Sequence, residues 1–345
     1  SLEKTSTLSC DAFTVLSSSL ERECLHFIGR KPDVITPSGA NMSCVLNDQE
    51  FISKRLKARE KLLLVGSAIS GMRLPEDTFI VLTSGRYDFR NKGVDLFIDA
   101  LGKVNREGNP QKVILALIAL PGNQSGARRE LIEKLNTLDF SDTGSGKLIT
   151  HTLFDRDVDP VLRKLQENGL SNKPDDMVKV VFAPIYLNGY DGIFNMTYYD
   201  ILPGFDLSVF PAYYEPWGIA SLESLTYRVP TIVTSLTGIG LYLQENIKDH
   251  GEEFTVLQRS DDNDYDVAEQ IAEVILSLNK ADYNKIQELE KAALKIASQI
   301  SWNKFLKTQF EAEDIALKKV DDRKHLFQDK LQAVVTITPP VPTRK

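Results

Sequence analysis

Ten consecutive residues, Ser84-Gly85-Arg86-Tyr87-Asp88-Phe89-Arg90-Asn91-Lys92-Gly93, put three cations between an apolar run ending at Thr83 and a helical pattern beginning at Val94. At a strand's carboxyl end, just before a helix, such cations join free N–H groups and the positive end of the helix dipole. Arg86, Arg90 and Lys92 in that position suit a polyanion such as a diphosphate. A solvated loop whose charges are unrelated would show the same spacing.

A second cluster runs from Pro211 to Glu223 and includes Tyr213-Tyr214-Glu215-Pro216-Trp217-Gly218. Glu215 closes a strand expected at 206–210, Pro216 suits the first position of a helix, and Glu223 falls about two turns into it. Two carboxylates on one strand–helix turn suit hydrogen bonds to neighbouring sugar hydroxyls, or paired acid–base work. Against this stand two plainer readings: Glu215 as an ordinary anion near a helix start, and Glu223 on a solvated helix face. Tyr198 and Tyr199 precede the same strand, where an aromatic face could stack a nucleobase or could simply pack. Gly238-Ile239-Gly240 would let backbone approach a ligand closely.

Other chemistries lack their residues. There is no G-x-G-x-x-G and no Walker loop, which weakens dehydrogenase and kinase readings. No G-x-S-x-G elbow supports a serine nucleophile. The four histidines lack metal-ligand spacing, and Asp261–Asp266 lacks the glycine and distal glutamate of a calcium loop. Neither a metal nor another cofactor is expected.

The elements that must carry these loops alternate. Strands are expected at Phe13–Leu16, Val34–Thr36, Phe79–Thr83, Val113–Leu120, 179–183, 206–210, 230–234 and Phe254–Leu257. Helices fall between them: one from Ser18, capped with Glu21, one over 46–73, and one whose Val94, Phe97, Ile98 and Leu101 form an apolar face. Residues 264–319 read as helical, and Val334–Lys345 as a disordered or extended arm. The alternation predicts an α/β doubly wound parallel sheet, Rossmann-like, whose ligands bind beyond the carboxyl ends of its strands.

With 345 residues, 42% hydrophobic and 26% charged, the chain is long enough for about two domains. A net charge of −7 without a basic block argues against a general affinity for nucleic acid or anionic membrane. No apolar run is long enough to span a bilayer. Three cysteines, Cys10, Cys24 and Cys44, with no C-x-x-C fit a reduced, cytoplasmic setting. In that compartment the glycosylation triplets at Asn41, Asn123 and Asn195 stay bare.

Taken together, Gly85-Arg86-Tyr87-Asp88-Phe89-Arg90-Asn91-Lys92-Gly93, Phe210-Pro211-Ala212-Tyr213-Tyr214-Glu215-Pro216-Trp217-Gly218, and Val229-Pro230 followed by Thr237-Gly238-Ile239-Gly240 resemble the glycogen synthases of animals and fungi. These are retaining glycosyltransferases of the GT-B fold, built from two facing Rossmann-like domains. The resemblance runs from about Ser9 to about Lys318. The Glu-x7-Glu spacing is common among retaining glycosyltransferases, so the Arg86 and Tyr213 stretches carry the likeness.

The resemblance implies roles. Arg86 and Lys92 would hold the nucleotide diphosphate and stabilise it as it leaves, and Tyr198 would stack on the base. Glu215 would bind the donor sugar and steady charge at the anomeric carbon. Glu223 would bind ribose hydroxyls, and Trp217 and Gly218 would complete the donor site. The implied donor is UDP-glucose and the acceptor the 4-hydroxyl of an α-1,4-glucan such as glycogen, with no metal.

Two departures follow. The family's N-terminal domain would be missing but for residues 1–45, a remnant holding its last elements, which would leave this chain a donor-binding half, inactive alone. Residues 46–75 would connect that remnant to a nucleotide-sugar domain at 76–320, with a tail at 321–345. Between Lys291 and Lys307, where the eukaryotic enzymes carry an arginine-dense effector helix, this chain has lysines and no arginine. A Gly-rich stretch near 141–147 replaces their tetramer insertion. Both suggest a simpler enzyme, of bacterial type, in which homo-oligomers stay possible. Two alternatives remain open: another GT-B enzyme with a different acceptor, and a non-catalytic nucleotide- or glucan-binding module.

Overall fold

A computed structural model describes residues 1–140, 148–247 and 250–335, with side chains described as far as 324; the Gly-rich stretch expected at 141–147 lies outside them. The chain forms two compact units, one of Ser1–Ser38 with the segment from Trp302 onward, the other Gly39–Ser301.

The larger unit is built on one six-stranded parallel sheet: β1 (Phe79–Ser84), β2 (Ile114–Ala119), β3 (Val178–Ala183), β4 (Leu207–Phe210), β5 (Thr231–Thr234) and β6 (Phe254–Leu257). Its strand order is β3-β2-β1-β4-β5-β6, that of a doubly wound Rossmann-type sheet. All six lie within a residue or two of the runs expected from sequence. They are short, and β1, β2 and β3 are buried along their whole length and rich in branched residues, as a covered parallel sheet requires.

Side chains alternate between the two faces of the sheet. Val81, Ala116, Ile118, Val180 and Phe182 point into one core with helix Val94–Glu107, whose Val94, Phe97, Ile98 and Leu101 are fully buried. Ile80, Leu82, Leu115, Leu117 and Val181 point into the other, covered by helix Asp48–Ser70 through Ala58, Leu62 and Val65. Each fully buried Leu, Ile, Val or Phe contributes about 1.5–3 kcal/mol, so the sheet is the stable platform and its loops are the adaptable part. Asn47 and Glu50 close a capping box at the start of the long helix, and Gly71 ends it in a left-handed conformation.

Strands β1 and β2 pair over six residues. In contrast, β1 and β4 pair only through Val81 with Leu207 and Leu82 with Ser208. Beyond them the chains diverge, opening a crevice at the carboxyl ends where the strand order reverses. At the opposite end Asp206 fixes the two strands. Its N–H donates to the Ile80 carbonyl at 2.8 Å, and its carboxylate accepts the Ile80 N–H at 2.7 Å. Arg55 and Arg59 of the long helix also donate to it, at 2.5 and 2.9 Å.

The structure departs from the sequence reading in places. Helix Ser18–Phe27 is capped by Ser17, not Ser18. A helix Leu2–Ser9 and an antiparallel pair, Gln124–Ala127 with His151–Leu153, were not anticipated, because neither carries a long apolar period. The helix expected to end near 319 continues as Trp302–Val335, so the arm expected from Val334 starts as helix. In the smaller unit Thr14–Val15 and Val34–Ile35 pair in parallel across helix Ser18–Phe27, and Lys319 and Arg323 pair with Asp33 and Asp11. No helix among the described residues is long and apolar enough to cross a membrane.

Asp206 yields a stability test. Burial pushes its carboxyl up, but Arg59, Arg55 and the Ile80 N–H outweigh that and hold it below the ordinary value. A carboxyl lowered in the folded state stabilises above its unfolded pKa, and that stability is lost as pH falls through the folded value. Asp206→Asn removes the buried carboxylate that Arg55 and Arg59 share and leaves them only Glu290 and backbone carbonyls, so it is expected to cost about 3 kcal/mol in urea unfolding at pH 7. The gap between variant and parent should narrow below about pH 4.

Candidate active site

The crevice between β1 and β4 gathers the residues singled out in the sequence. The loop after β1 brings Lys92 against Glu215 of the loop after β4, its ammonium donating to the Glu215 carboxylate. The two side chains are 19% and 21% exposed, so a partly dry ion pair faces the crevice. Two constraints bring these loops together. Gly93 has φ +66°, and a Cβ there would sit 1.9 Å from the Pro211 carbonyl oxygen, so backbone packs on backbone. The Tyr213 N–H then donates to the Asn91 carbonyl at 2.8 Å.

Glu215 lies five residues beyond β4 and does not close it. It forms a parallel bridge with Thr237, and its carbonyl accepts the Gly238 N–H at 3.0 Å. Pro216 is not in the helix either. The helix is Ile219–Thr226, with Gly218 at its N-cap at φ +113°. A Cβ on Gly218 would meet Ile239 and Ser221 at 2.9 Å, which explains this glycine by packing. Glu223 is therefore little more than one turn into the helix, half-buried, and accepts a hydrogen bond from the Tyr199 hydroxyl at 2.7 Å. Burial pushes its carboxyl up, while that hydrogen bond pulls it down.

The expectation for Trp217 needs correction. Its indole is 1% exposed and packs edge-on to Tyr242 with centroids 5.7 Å apart. It supports the crevice from behind, and its carbonyl accepts the Ile239 N–H at 2.7 Å. The strand-adjacent sequence gave no sign of this, because Trp suits both a core and a site.

Tyr198 is half-buried. Its hydroxyl bonds Ser84 at 3.1 Å at the end of β1, and its ring meets Tyr199 edge-on at 5.6 Å. Tyr199, 46% exposed, stacks on Tyr227 with centroids 5.6 Å apart. Sequence reading gave Tyr199 only a share in an aromatic face, and its bond to Glu223 was not foreseen. Its signal was its place 24 residues before Glu223, which only the fold turns into a contact.

The cations separate. Arg86 is exposed, and its guanidinium has no hydrogen-bond or ion-pair partner among the described residues. Arg90 turns instead toward Asp95 and Asp264, at 4.0 and 3.8 Å. The helix Val94–Glu107 already carries a carboxylate in its first turn, Asp95, whose pKa burial raises. The first N–H groups of helix Gly238–Asn246 donate to Glu215 and Trp217 carbonyls. An anion in this crevice would meet Arg86 and Lys92. No group of three or more His, Cys, Asp or Glu among the described residues is arranged to hold a metal.

A doubly wound sheet with cations and carboxylates at its switch point defines a Rossmann-type α/β protein, and solved structures share the fold. The Anabaena HepE protein in complex with UDP-glucose aligns at a TM-score of 0.52 and 16% identity, over 89% of this chain and 63% of that one. A glycosyltransferase from Rickettsia africae aligns at 0.51 and 14%, over 88% and 62%. The fold is that of the GT-B glycosyltransferases. The family model for glycogen synthase matches residues 1–133 and 134–338, and the chain belongs to that family. It is 26% identical to the glycogen [starch] synthase of Neurospora crassa over 92% of this chain and 53% of that protein, and 27% identical to the human liver enzyme over 72% and 43%. The chain spans about half the length of the curated relatives it matches.

Tyr199 supplies a local test. Because its hydroxyl stabilises the ionised form of Glu223, Tyr199→Phe is expected to raise the Glu223 pKa further, read by carbon-13 titration of the carboxyl. An unchanged titration would show that the contact contributes nothing to the charge at this position.

Proposed function

We propose that this chain provides the donor side of a retaining glucosyltransferase that moves glucose from UDP-glucose to the 4-hydroxyl of an α-1,4-glucan. The observation that carries the reading is the Lys92–Glu215 pair at the switch point, in a member of the glycogen synthase family. Lys92 and exposed Arg86 would neutralise the diphosphate as the bond to the sugar breaks, which is electrostatic catalysis without a metal. As the diphosphate draws Lys92 toward itself, the Glu215 carboxylate is released to face the positive charge growing at the anomeric carbon. Glu223, with Tyr199 fixing one oxygen, would accept ribose hydroxyls. Tyr198, tethered to Ser84, would stack on the base, and Gly218 would allow backbone to approach the donor. We further infer a cytoplasmic enzyme in which Ser1–Ser38 with the last helix belongs to a second Rossmann-like lobe that takes part in acceptor binding.

The direct test is incubation of the complete protein with radiolabelled UDP-glucose and glycogen. Incorporation into alkali-stable glucan is expected; transfer only to another acceptor would retain the donor site and replace the acceptor.

The carboxylates should separate kinetically. Glu215→Gln removes charge that matters in the transition state, so kcat should fall at least a hundredfold, about 2.7 kcal/mol, while UDP binding to this chain is retained. Glu223→Gln should instead weaken UDP binding itself. Loss of one charge-assisted contact in Arg86→Ala should cost about 1.5–3 kcal/mol of UDP affinity by calorimetry. Near-normal turnover in Glu215→Gln would end the catalytic reading.

A further inference from the structure

Arg259 lies two residues past β6, and its side chain is only 2% exposed. One terminal nitrogen donates to the Pro211 carbonyl, the other pairs with Asp264 at 3.1 Å, and the guanidinium lies 5.0 Å from the centre of the Tyr213 ring. Its own N–H donates to Ser235 Oγ at 3.1 Å, tying it to the end of β5 as well. Removing a guanidinium from water is costly, and an apolar side chain would fill the same space more cheaply. One of its two acceptors is the Pro211 carbonyl, the atom against which Gly93 closes.

We propose that Arg259 is a positioning residue for glucosyl transfer: by holding the Pro211 carbonyl, it fixes the loop bearing Glu215 against the loop bearing Lys92. The inference rests on the function proposed above. Four contacts make the loop a lever. Pro211 is held from one side by Arg259 and abutted by Gly93. Tyr213 donates its N–H to Asn91 and its hydroxyl to Asp261, which lies in the same segment as Arg259. Two residues past Tyr213, Glu215 meets Lys92. Asp264 opens helix Asp264–Asn279, so the anchor for Arg259 is itself held in a long helix packed on Val94–Glu107. Only a guanidinium presents two separate nitrogens to a carbonyl and a carboxylate at once; lysine can serve one of them well.

The test compares Arg259→Lys and Arg259→Met with the parent in the complete protein, using UDP-glucose and glycogen. Arg259→Lys should bind one UDP per chain with an affinity within about twofold, keep its KM for UDP-glucose, and lose about ten- to a hundredfold in kcat, as small misplacements of a reacting group do. Arg259→Met should lose more. A kcat within twofold of the parent overturns the proposal, and so does a fall that merely tracks the loss of UDP-binding stoichiometry, which marks a folding defect. A second readout does not depend on turnover. The Glu215 carboxyl carbon-13 resonance should move in Arg259→Lys, and its constancy overturns the positioning role even if the parent transfers no glucose. A parent without transfer but with a moved Glu215 resonance supports the positioning role and defeats the proposed function instead.

Discussion

Everything at the crevice depends on Asp206 holding the ends of β1 and β4 together. Its N–H and its carboxylate both engage the Ile80 backbone, so the two strands are joined at their amino ends and free to part at their carboxyl ends. The charge that does this is buried among Arg55 and Arg59, which also donate to the Pro203, Phe205, Gly204 and Thr78 carbonyls. One ion cluster thereby anchors the long helix, sets the register of the sheet's centre and determines where the crevice opens. A parallel sheet whose strands stayed paired to their ends would leave no room there for a ligand.

On that platform the site is assembled from loops by backbone rather than by side-chain packing. Gly93 meets the Pro211 carbonyl, Tyr213 donates to Asn91, and Gly238 and Ile239 donate to Glu215 and Trp217. Such contacts are short and directional, and they leave the charged side chains free for chemistry. They also account for the helix ends. The first two N–H groups of helix Gly238–Asn246 are spent on building the loops, and Arg86 and Lys92 supply positive charge beside them.

Much of this was legible in the sequence for a physical reason. A strand buried on both faces must be a short apolar run, and six such runs stand out between amphipathic helices, so β1 to β6 and the helix Val94–Glu107 can be placed almost to the residue. Lys92 and Glu215 were legible as chemistry, since charges at strand ends have few structural uses. Their pairing was not, because it depends on loops 123 residues apart in sequence meeting at one glycine. Trp217 was misjudged because its neighbours in sequence do not show which way an indole turns. Arg90 and Arg259 show the same limit: Arg90, beside Lys92, turns to Asp95 and Asp264 while staying exposed, and Arg259, just before the acidic run at 261–266, is the one that is buried.

The placement of the two tryptophans has an optical consequence. Trp217 is sealed in the larger unit behind Gly218, and Trp302, 42% exposed, begins the helix of the smaller one. Each compact unit thus carries one indole, in opposite surroundings: a dry one that emits toward the blue and a wet one that emits toward the red and is open to collisional quenchers. Their emission can be separated without any label. The blue component follows the packing beneath the crevice, and the red component follows the unit formed by the two ends of the chain.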